Sequence, residues 1–389
     1  MLLLLLLLLL EPVPVPVPVP HGACLPARLL VQHPNHAIPT TSLQHRTVGM
    51  TVLPKATPPL AGYGILTGQL FLYGRGRAAF ESSPSASVSA SPSASVSLPL
   101  PEKKCILIGG LSDGLLPVPY TDLLDRACRD NDWSLVQPVL SSSYLGFGHG
   151  SLDRDCSELE ELMRYLQDYR NGREFAIVGH STGCQDAVHF LKHAAPELRS
   201  KTSLVALQAP VSDREGTQLE EGFASKLRAA EELVADGKGD EMLPRSFHWA
   251  PITAQRYVDL HARGGRDDYF SSDYTDEELL GRLGHVGGNA NADANADANA
   301  ARHPDLRVLV AFSGSDEYVP AHVDKVGTTR RLVDAMNGSG DAGKEDYSSS
   351  SSSRVVAESL YLATGNHNLS EGDGDAEAFV QRISELFRR

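Results

Sequence analysis

Cysteine is scarce in this chain, and its spacing argues against a disulfide-built scaffold. The 389 residues include five cysteines, at positions 24, 105, 128, 156 and 184, and no Cys-x-x-Cys pair. An odd and scattered set is typical of reduced thiols in the cytosol rather than of a disulfide framework. We therefore expect a cytoplasmic protein with free cysteines, among which Cys184 is a small packed side chain.

Basic residues are also in short supply. Lysine and arginine together number 35, against 49 aspartates and glutamates, which gives a formal net charge of −14. Nucleic acids and anionic membrane surfaces both attract basic patches on a protein. We therefore expect neither of them as a partner.

No apolar run is long enough to span a bilayer as a helix, which takes about 20 residues. The run Leu2–Leu10 is followed by Glu11 and by a Pro-Val alternation over Pro12–Pro20. Its length suits the apolar region of a signal peptide, but no basic residue precedes it and no small-residue cleavage site follows. We interpret residues 1–60 as a low-complexity, poorly ordered segment, with secretion as the alternative reading.

Three further tracts lack the pattern of a packed core. Residues 82–101 are rich in Ser, Ala, Pro and Val, residues 289–299 repeat Asn-Ala-Asp-Ala, and residues 340–353 end in a serine run. Such tracts bury little apolar surface, so we expect disordered insertions rather than domain boundaries. With 41% hydrophobic residues in the whole chain, residues 61–389 can form one large domain around these insertions.

Outside these tracts, apolar runs alternate with amphipathic segments, as β-α units do. Residues 65–80 are typical of an antiparallel hairpin, and Leu152–Tyr169 is typical of a helix whose acidic residues face solvent. Its apolar face is expected to contain Leu159, Leu162, Met163, Leu166 and Tyr169, and the last helix is expected to bury Phe379, Ile383, Leu386 and Phe387. The sequence therefore predicts a mostly parallel, doubly wound α/β sheet.

The most informative motif is Gly179-His180-Ser181-Thr182-Gly183. An apolar run, Phe175–Val178, precedes it, and a helix-compatible segment follows. A strand that turns sharply into a helix leaves no room for side chains two residues either side of the turn, so both glycines are needed. The turn lifts the serine hydroxyl above the sheet edge at a helix N-terminus, which predicts Ser181 as a nucleophile.

An acid and a histidine follow in the order that a Ser-Asp-His site requires in this kind of sheet. Asp316 comes directly after the strand-like run Arg307–Phe312, and His367 comes after the run Glu358–Ala363. Doubly wound sheets keep their chemistry in the loops after the carboxyl ends of strands. We therefore predict that Asp316, rather than its neighbour Glu317, orients His367 beside the serine.

A glycine-rich turn after the strand Cys105–Ile108 completes the predicted site. Its residues, Gly109-Gly110-Leu111-Ser112-Asp113-Gly114, allow backbone N–H groups to approach a substrate closely. An oxyanion hole needs one such N–H together with that of the residue after the nucleophile. We expect Gly110 or Leu111 to supply the first donor and Thr182 the second.

These motifs resemble a fungal and plant group of α/β-hydrolases, most of whose members are known only as a domain of unknown function. The resemblance rests on residues 109–116, 140–144, 179–186, 267–273 and 313–320. Some fungal members are esterases that hydrolyse ester-linked hydroxamate siderophores of the fusarinine type. The resemblance implies an α/β-hydrolase fold over about residues 61–387, with Ser181, Asp316 and His367 as the catalytic triad.

The segment between the sixth and seventh strands changes character. Residues 213–288 contain three helix-like stretches and no strand pattern, which predicts a helical cap above the serine that shapes the pocket and excludes water. Residues 267–273 carry three aspartates but lack the glycine and the terminal glutamate of a calcium loop. We therefore predict no metal site, and we expect these acids to cap the helix that begins near Thr275.

Together these features predict a serine esterase that acts through an acyl-enzyme and needs no cofactor. Its expected substrate is a small-molecule ester, and the resemblance implies a hydroxamate siderophore as the particular case. Two alternatives stay open: a lipase, thioesterase or peptidase on the same fold, and a catalytically silent binding protein that keeps the fold alone.

Overall fold

The computed structural model describes residues 65–83, 99–287, 303–338 and 356–388. All of them belong to one unit that begins at Pro58. The segments predicted to be disordered, residues 1–60, 289–299 and 340–353, lie outside the described residues, as does most of the tract 82–101.

The described residues form a sheet of eight strands in the order β1-β2-β4-β3-β5-β6-β7-β8. Strand β2 is antiparallel to both of its neighbours, and every other pair is parallel. The strands are β1 (Gly68–Tyr73), β2 (Arg77–Ser82), β3 (Lys103–Ile108), β4 (Trp133–Pro138), β5 (Glu174–His180), β6 (Thr202–Gln208), β7 (Arg307–Ser313) and β8 (Ala357–Leu362). The predicted hairpin at residues 65–80 and the mostly parallel sheet are confirmed.

Helices cover both faces of this sheet. They are α1 (Thr121–Arg129), α2 (Leu152–Tyr169), α3 (Thr182–His193), α4 (Pro196–Arg199), α5 (Asp213–Thr217), α6 (Phe223–Ala235), α7 (Ala254–His261), α8 (Asp276–Leu283), α9 (Lys325–Met336) and α10 (Asp375–Phe387). Two short 3₁₀ helices, Tyr144–His149 and Gly284–Gly287, are also present.

Alternate residues of each central strand point into two different cores. In β3, Ile106 and Ile108 pack with α2 and α3, whereas Cys105 and Leu107 pack with α1 and α10. This period-two pattern with apolar residues on both faces explains why the central strands read as continuous apolar runs. The predicted buried residues of α10 are all buried in the second core.

Helix α2 has the predicted bounds but differs in which side chains it buries. Leu159, Leu162, Met163 and Leu166 are fully buried, whereas Tyr169 is exposed and its ring packs against Tyr165. Two acids that were expected in solvent, Asp155 and Glu158, are buried. They accept hydrogen bonds from the hydroxyls of Ser142 and Ser141, so the loop after β4 supplies the partners that sequence periodicity could not reveal.

The excursion between β6 and β7 contains four helices, α5 to α8, and no strand among its described residues. We call residues 213–287 the cap. Helix α6 begins at Phe223, later than the sequence pattern suggested, because Gly222 before it adopts a positive φ of 77°. Helix α8 begins with a capping box, in which Thr275 and Glu278 each bond the other's backbone N–H.

Within the described part of the chain, no helix has the length and apolar character needed to cross a membrane.

Candidate active site

Ser181 lies at the turn between β5 and α3 in a conformation that few non-glycine residues adopt. Its backbone angles are φ 54° and ψ −122°, and strain of this kind is typical of functional turns. A Cβ on Gly179 would collide with the carbonyl of Gly183, and a Cβ on Gly183 would collide with the carbonyl of Ile108. The turn therefore requires glycine at both positions, and Cys184 is fully buried beneath it.

The structure brings Ser181, His367 and Asp316 into one chain of hydrogen bonds. The Nε2 atom of His367 is 2.9 Å from the Ser181 hydroxyl oxygen, and its Nδ1 atom is 2.8 Å from Oδ2 of Asp316. Residues 181 and 367 are separated by 186 positions in the sequence. They meet because each follows the carboxyl end of a parallel strand, β5 and β8, on either side of β6 and β7.

The two neighbouring acids after β7 have different contacts. Asp316 is buried and uses its other carboxylate oxygen to accept the N–H of Tyr318 at 3.0 Å. Glu317 instead accepts the backbone N–H of His367 at 2.9 Å. Asp316 therefore touches the imidazole, whereas Glu317 holds the loop that carries it.

The glycine-rich turn after β3 approaches the serine closely. A Cβ on Gly110 would lie 2.8 Å from the Cβ of Ser181, so only glycine fits. The N–H of Gly110 is already used, because it donates to Oδ2 of Asp113 at 2.7 Å. The N–H of Leu111 makes no hydrogen bond within the described residues, and Thr182, as the first residue of α3, has no intrahelical acceptor for its own N–H. Of the predicted oxyanion donors, Leu111 and Thr182 are thus the two available ones.

Sequence reasoning missed Gln208, the last residue of β6. Its side-chain oxygen lies 2.6 Å from Nδ1 of His180, and its side-chain nitrogen donates to the carbonyl of His367 at 2.9 Å. Gln208 is fully buried and so ties the turn that carries Ser181 to the loop that carries His367. A polar residue directly after the apolar run Leu204–Leu207, at the carboxyl end of a strand, was the available signal.

His180 lines the site as an uncharged side chain. Burial, together with the nearby His367, lowers the pKa of His180 to about 3. Its ring lies 5.0 Å from that of His367, centroid to centroid, and Tyr318 approaches His367 from another side at 4.6 Å. The imidazole of His367 therefore has a ring neighbour on each of two sides, His180 and Tyr318.

A cleft of about 960 Å³ opens above Ser181. The sheet side supplies Leu111, Ser181, Tyr318 and His367, and the cap supplies the opposite wall. The cap residues that line it are Asp213, Gly216, Thr217, Glu220, Lys226, Arg245, Ser246, Phe247, His248, Trp249 and His261. The segment predicted as a cap therefore shares one cleft with the serine.

Two carboxyl groups in this cleft have altered acidity. Burial raises the pKa of Asp113, although the N–H of Gly110 opposes the shift. Burial and the nearby Asp267 raise the pKa of Asp213 to about 7, and Gln185 donates a hydrogen bond to it. The cleft is therefore less negative near neutral pH than its count of acids suggests.

The aspartates of residues 267–273 bind arginines rather than a helix terminus. Asp267 forms a bidentate pair with Arg256 at 2.7 and 2.8 Å, and Asp268 and Asp273 pair with Arg214. The expectation that these acids cap α8 is wrong, because Thr275 and Glu278 serve that helix end instead. Among the residues that the structure describes, no group of three or more His, Cys, Asp or Glu has the arrangement of a metal site.

Comparisons with known structures define the class of the protein. The siderophore hydrolase EstB from Aspergillus fumigatus is 26% identical, with a TM-score of 0.63 over 84% of this chain and 98% of that one. An α/β-hydrolase-fold protein of unknown function gives a TM-score of 0.53 at 18% identity, over 84% and 96% of the two chains. The chain is an α/β-hydrolase, as the sequence predicted.

A family model described as a protein of unknown function, DUF1749, matches residues 55–385. The chain belongs to this family, and the resemblance inferred from the motifs is confirmed. Its relatives include the fusarinine C esterase sidJ of Aspergillus fumigatus, 30% identical over 63% of this chain and 79% of that protein. The esterase AN6793 of Emericella nidulans is 31% identical over 58% and 72% of the two chains. Fold and relatives support an esterase-like hydrolase.

Proposed function

We propose that this protein is a serine carboxylic-ester hydrolase and that Ser181, His367 and Asp316 form its catalytic triad. The observation that carries the proposal is the continuous hydrogen-bond chain from the Ser181 hydroxyl through the imidazole to Asp316. It is supported by the strained turn at Ser181 and by the two nearby backbone N–H groups, of Leu111 and Thr182, that have no acceptor in the described part of the chain.

The mechanism follows from this geometry. Nε2 of His367 takes the Ser181 proton as the oxygen attacks the ester carbonyl, while Asp316 holds the ring and stabilises its cationic form. The N–H groups of Leu111 and Thr182 bind the oxyanion of the tetrahedral intermediate. The imidazolium then protonates the departing alkoxide, which leaves as the alcohol. Water, deprotonated by the same imidazole, attacks the acyl-enzyme and releases the acid together with Ser181.

The proposed substrate is a small-molecule ester, and a hydroxamate siderophore ester is the particular case that we favour. The named activities of the sidJ and EstB relatives support this choice. The cleft of about 960 Å³ is at the large end of the range for small-molecule sites, which suits a bulky ester. We place the reaction in the cytoplasm, where the four free cysteines of the described residues would stay reduced.

Replacing the nucleophile tests the proposal. Ser181→Ala should lower ester hydrolysis by several orders of magnitude, since loss of a triad serine has cost about 10⁶-fold elsewhere. A fluorophosphonate probe should label the wild-type protein on Ser181 and leave the variant unlabelled. Hydrolysis is measured with matched oxygen esters, thioesters and amides of one acyl group, and we expect the oxygen ester to react fastest.

Ser246→Ala is the matched control, because Ser246 is an exposed serine in the same cleft. It should keep both wild-type turnover and labelling. Retention of more than a tenth of the activity by Ser181→Ala would contradict the assignment. An unlabelled, inactive wild-type protein would favour the silent binding protein instead.

A further inference from the structure

The cap wall of the cleft contains a buried histidine with no use in the proposed mechanism. His261 is the last residue of α7 and is only 4% exposed. Within the described residues neither ring nitrogen makes a hydrogen bond of normal distance and angle, and the polar group that acts on the ring from close by is the backbone of Asp213, which opposes the fall of its pKa. A buried polar group without a partner costs free energy, so its presence in a ligand cleft needs an explanation.

The His261 ring is uncharged. Burial lowers its pKa to about 3, and the neighbouring His248 acts in the same direction. A neutral imidazole offers one N–H donor and one nitrogen acceptor. A ligand group that has both a hydrogen-bond donor and an acceptor would match these two ring atoms. Because the ring is neutral, that ligand group need not carry a charge.

His248 lies beside His261 and is more accessible. The ring centroids are 6.1 Å apart, and both rings line the cleft that contains Ser181. Nδ1 of His248 accepts the N–H of Ala250 at 3.2 Å, so the ring proton of the neutral form is on Nε2. Burial lowers the pKa of His248 as well. The pair thus presents a donor on the outer ring and a donor and an acceptor on the inner one.

Aromatic rings surround this pair. Tyr257 packs edge-on against His261 at 4.6 Å, and Trp249 lies 5.4 Å from His248 and 5.5 Å from Phe147. A small polar group within apolar walls is the usual design of a small-molecule subsite, in which the few polar atoms set specificity. Such a subsite rejects an analogue that lacks the complementary group.

We propose that His248 and His261 form a specificity subsite that binds a neutral hydroxyl or amide group of the ester substrate, remote from the scissile bond. The proposal rests on the esterase function above and adds a substrate requirement to it. The two histidines act on recognition and not on bond cleavage, so their effect should depend on which ester is supplied.

Paired esters test this requirement. One series consists of p-nitrophenyl acetamidoalkanoates with two to five methylenes, and each is matched to a p-nitrophenyl alkanoate of the same chain length. At the best length we expect the wild-type kcat/KM to be at least tenfold higher for the amide ester. His261→Phe and His248→Phe should reduce this ratio to about one or below, while kcat/KM for the matched alkyl ester stays within about threefold of wild type.

Three comparisons make the outcome decisive. His149→Phe, which changes an exposed histidine outside the cleft, should keep the wild-type ratio. A wild-type ratio at or below one at every length would overturn the proposal without use of any variant, and so would an unchanged ratio in folded His261→Phe. Activity in Ser181→Ala would instead refute Ser181 as the nucleophile, and no hydrolysis of either series by the wild type would refute the esterase function and the subsite with it.

Discussion

His367 of the proposed triad is held by neighbours that contact its backbone as well as its side chain. His367 is fixed by Asp316 at its ring, by Glu317 at its N–H and by Gln208 at its carbonyl. Reactive groups must be held within a fraction of an ångström of their productive geometry, and partners of this kind supply that constraint. Residues that never touch the substrate are therefore expected to affect turnover.

Asp316 and Glu317 allow a test of how much each contact of His367 contributes to turnover. Asp316→Asn should lower turnover by about 10⁴-fold, because the amide favours the wrong imidazole tautomer. Glu317→Gln should be much milder, because its amide oxygen can still accept the N–H of His367. Turnover of both variants on one activated ester from pH 6 to 9 is the measurement, and a larger loss in Glu317→Gln would reverse the two roles.

His180 gives a prediction about pH. Its pKa is about 3 in the folded protein and about 6.5 in an unfolded chain. Between these values the unfolded state binds more protons, so the stability contributed by neutral His180 is lost as the pH falls. From pH 7 to pH 5 the loss amounts to about 2 kcal/mol. The free energy of unfolding of the wild type, relative to His180→Gln, should fall by that amount.

Urea unfolding at both pH values measures this difference. Because the same Asp155 and Asp213 carboxyls are present in both proteins, their own raised pKa values largely cancel in the comparison. His149→Gln, at an exposed site, is the control and should give the same difference at pH 7 and pH 5. An equally constant difference for His180→Gln would show that the His180 ring has the same pKa in the folded protein as in the unfolded chain, which would contradict its burial in a neutral form.

Two buried arginines connect the segments of the cap, and one of them also bonds a residue outside it. Arg256 on α7 pairs with Asp267 and also donates to the carbonyl of Phe147, in the loop after β4. Arg214 on α5 binds Asp268 and Asp273. The ion pairs join segments within the cap, and the hydrogen bond from Arg256 to Phe147 joins the cap to the segment after β4.

Removal of Arg256 from its buried ion pair should lower the free energy of unfolding. Arg256→Met leaves the Asp267 carboxylate buried without its partner, which typically costs about 3–5 kcal/mol of stability. The double variant Arg256→Met/Asp267→Leu should recover much of this loss, because no charge is left unpaired. Urea unfolding of the two variants is the measurement.

Arg263→Met removes an exposed cap pair with Glu278 and is the control. It should unfold near the wild-type midpoint, since exposed ion pairs contribute little. Equal free energies of unfolding for Arg256→Met and the wild type would contradict the prediction that the buried Arg256–Asp267 pair stabilises the protein.

The elements were largely predictable because their signals are local. Helix α2 and the turn at Ser181 follow from apolar spacing and from glycines that a tight turn requires. The burial of Asp155 and Glu158 was not predictable, since it depends on serines supplied by another loop. The same holds for Gln208 and for the use of the Gly110 N–H by Asp113. Contacts between distant segments leave no periodic trace in the sequence.

Two tracts of low apolar content lie between described segments in the second half of the chain. The described residues stop at Gly287 and resume at His303, and they stop again at Gly338 and resume at Val356. The intervening sequences are dominated by Asn, Ala, Asp, Gly and Ser, with few large apolar side chains. The proposed triad and the described lining of the cleft belong to the segments on either side.

Deletion of residues 289–299 or of residues 348–353 should therefore change little. Segments of this composition have little apolar surface to bury, and the free energy of loop closure depends only weakly on loop length. We expect melting temperature and ester turnover close to the wild-type values. Val286→Ala is the matched control, because Val286 is buried just before the first tract, and its truncation should lower the melting temperature. A drop for either deletion as large as that for Val286→Ala would show that the tract packs against the domain.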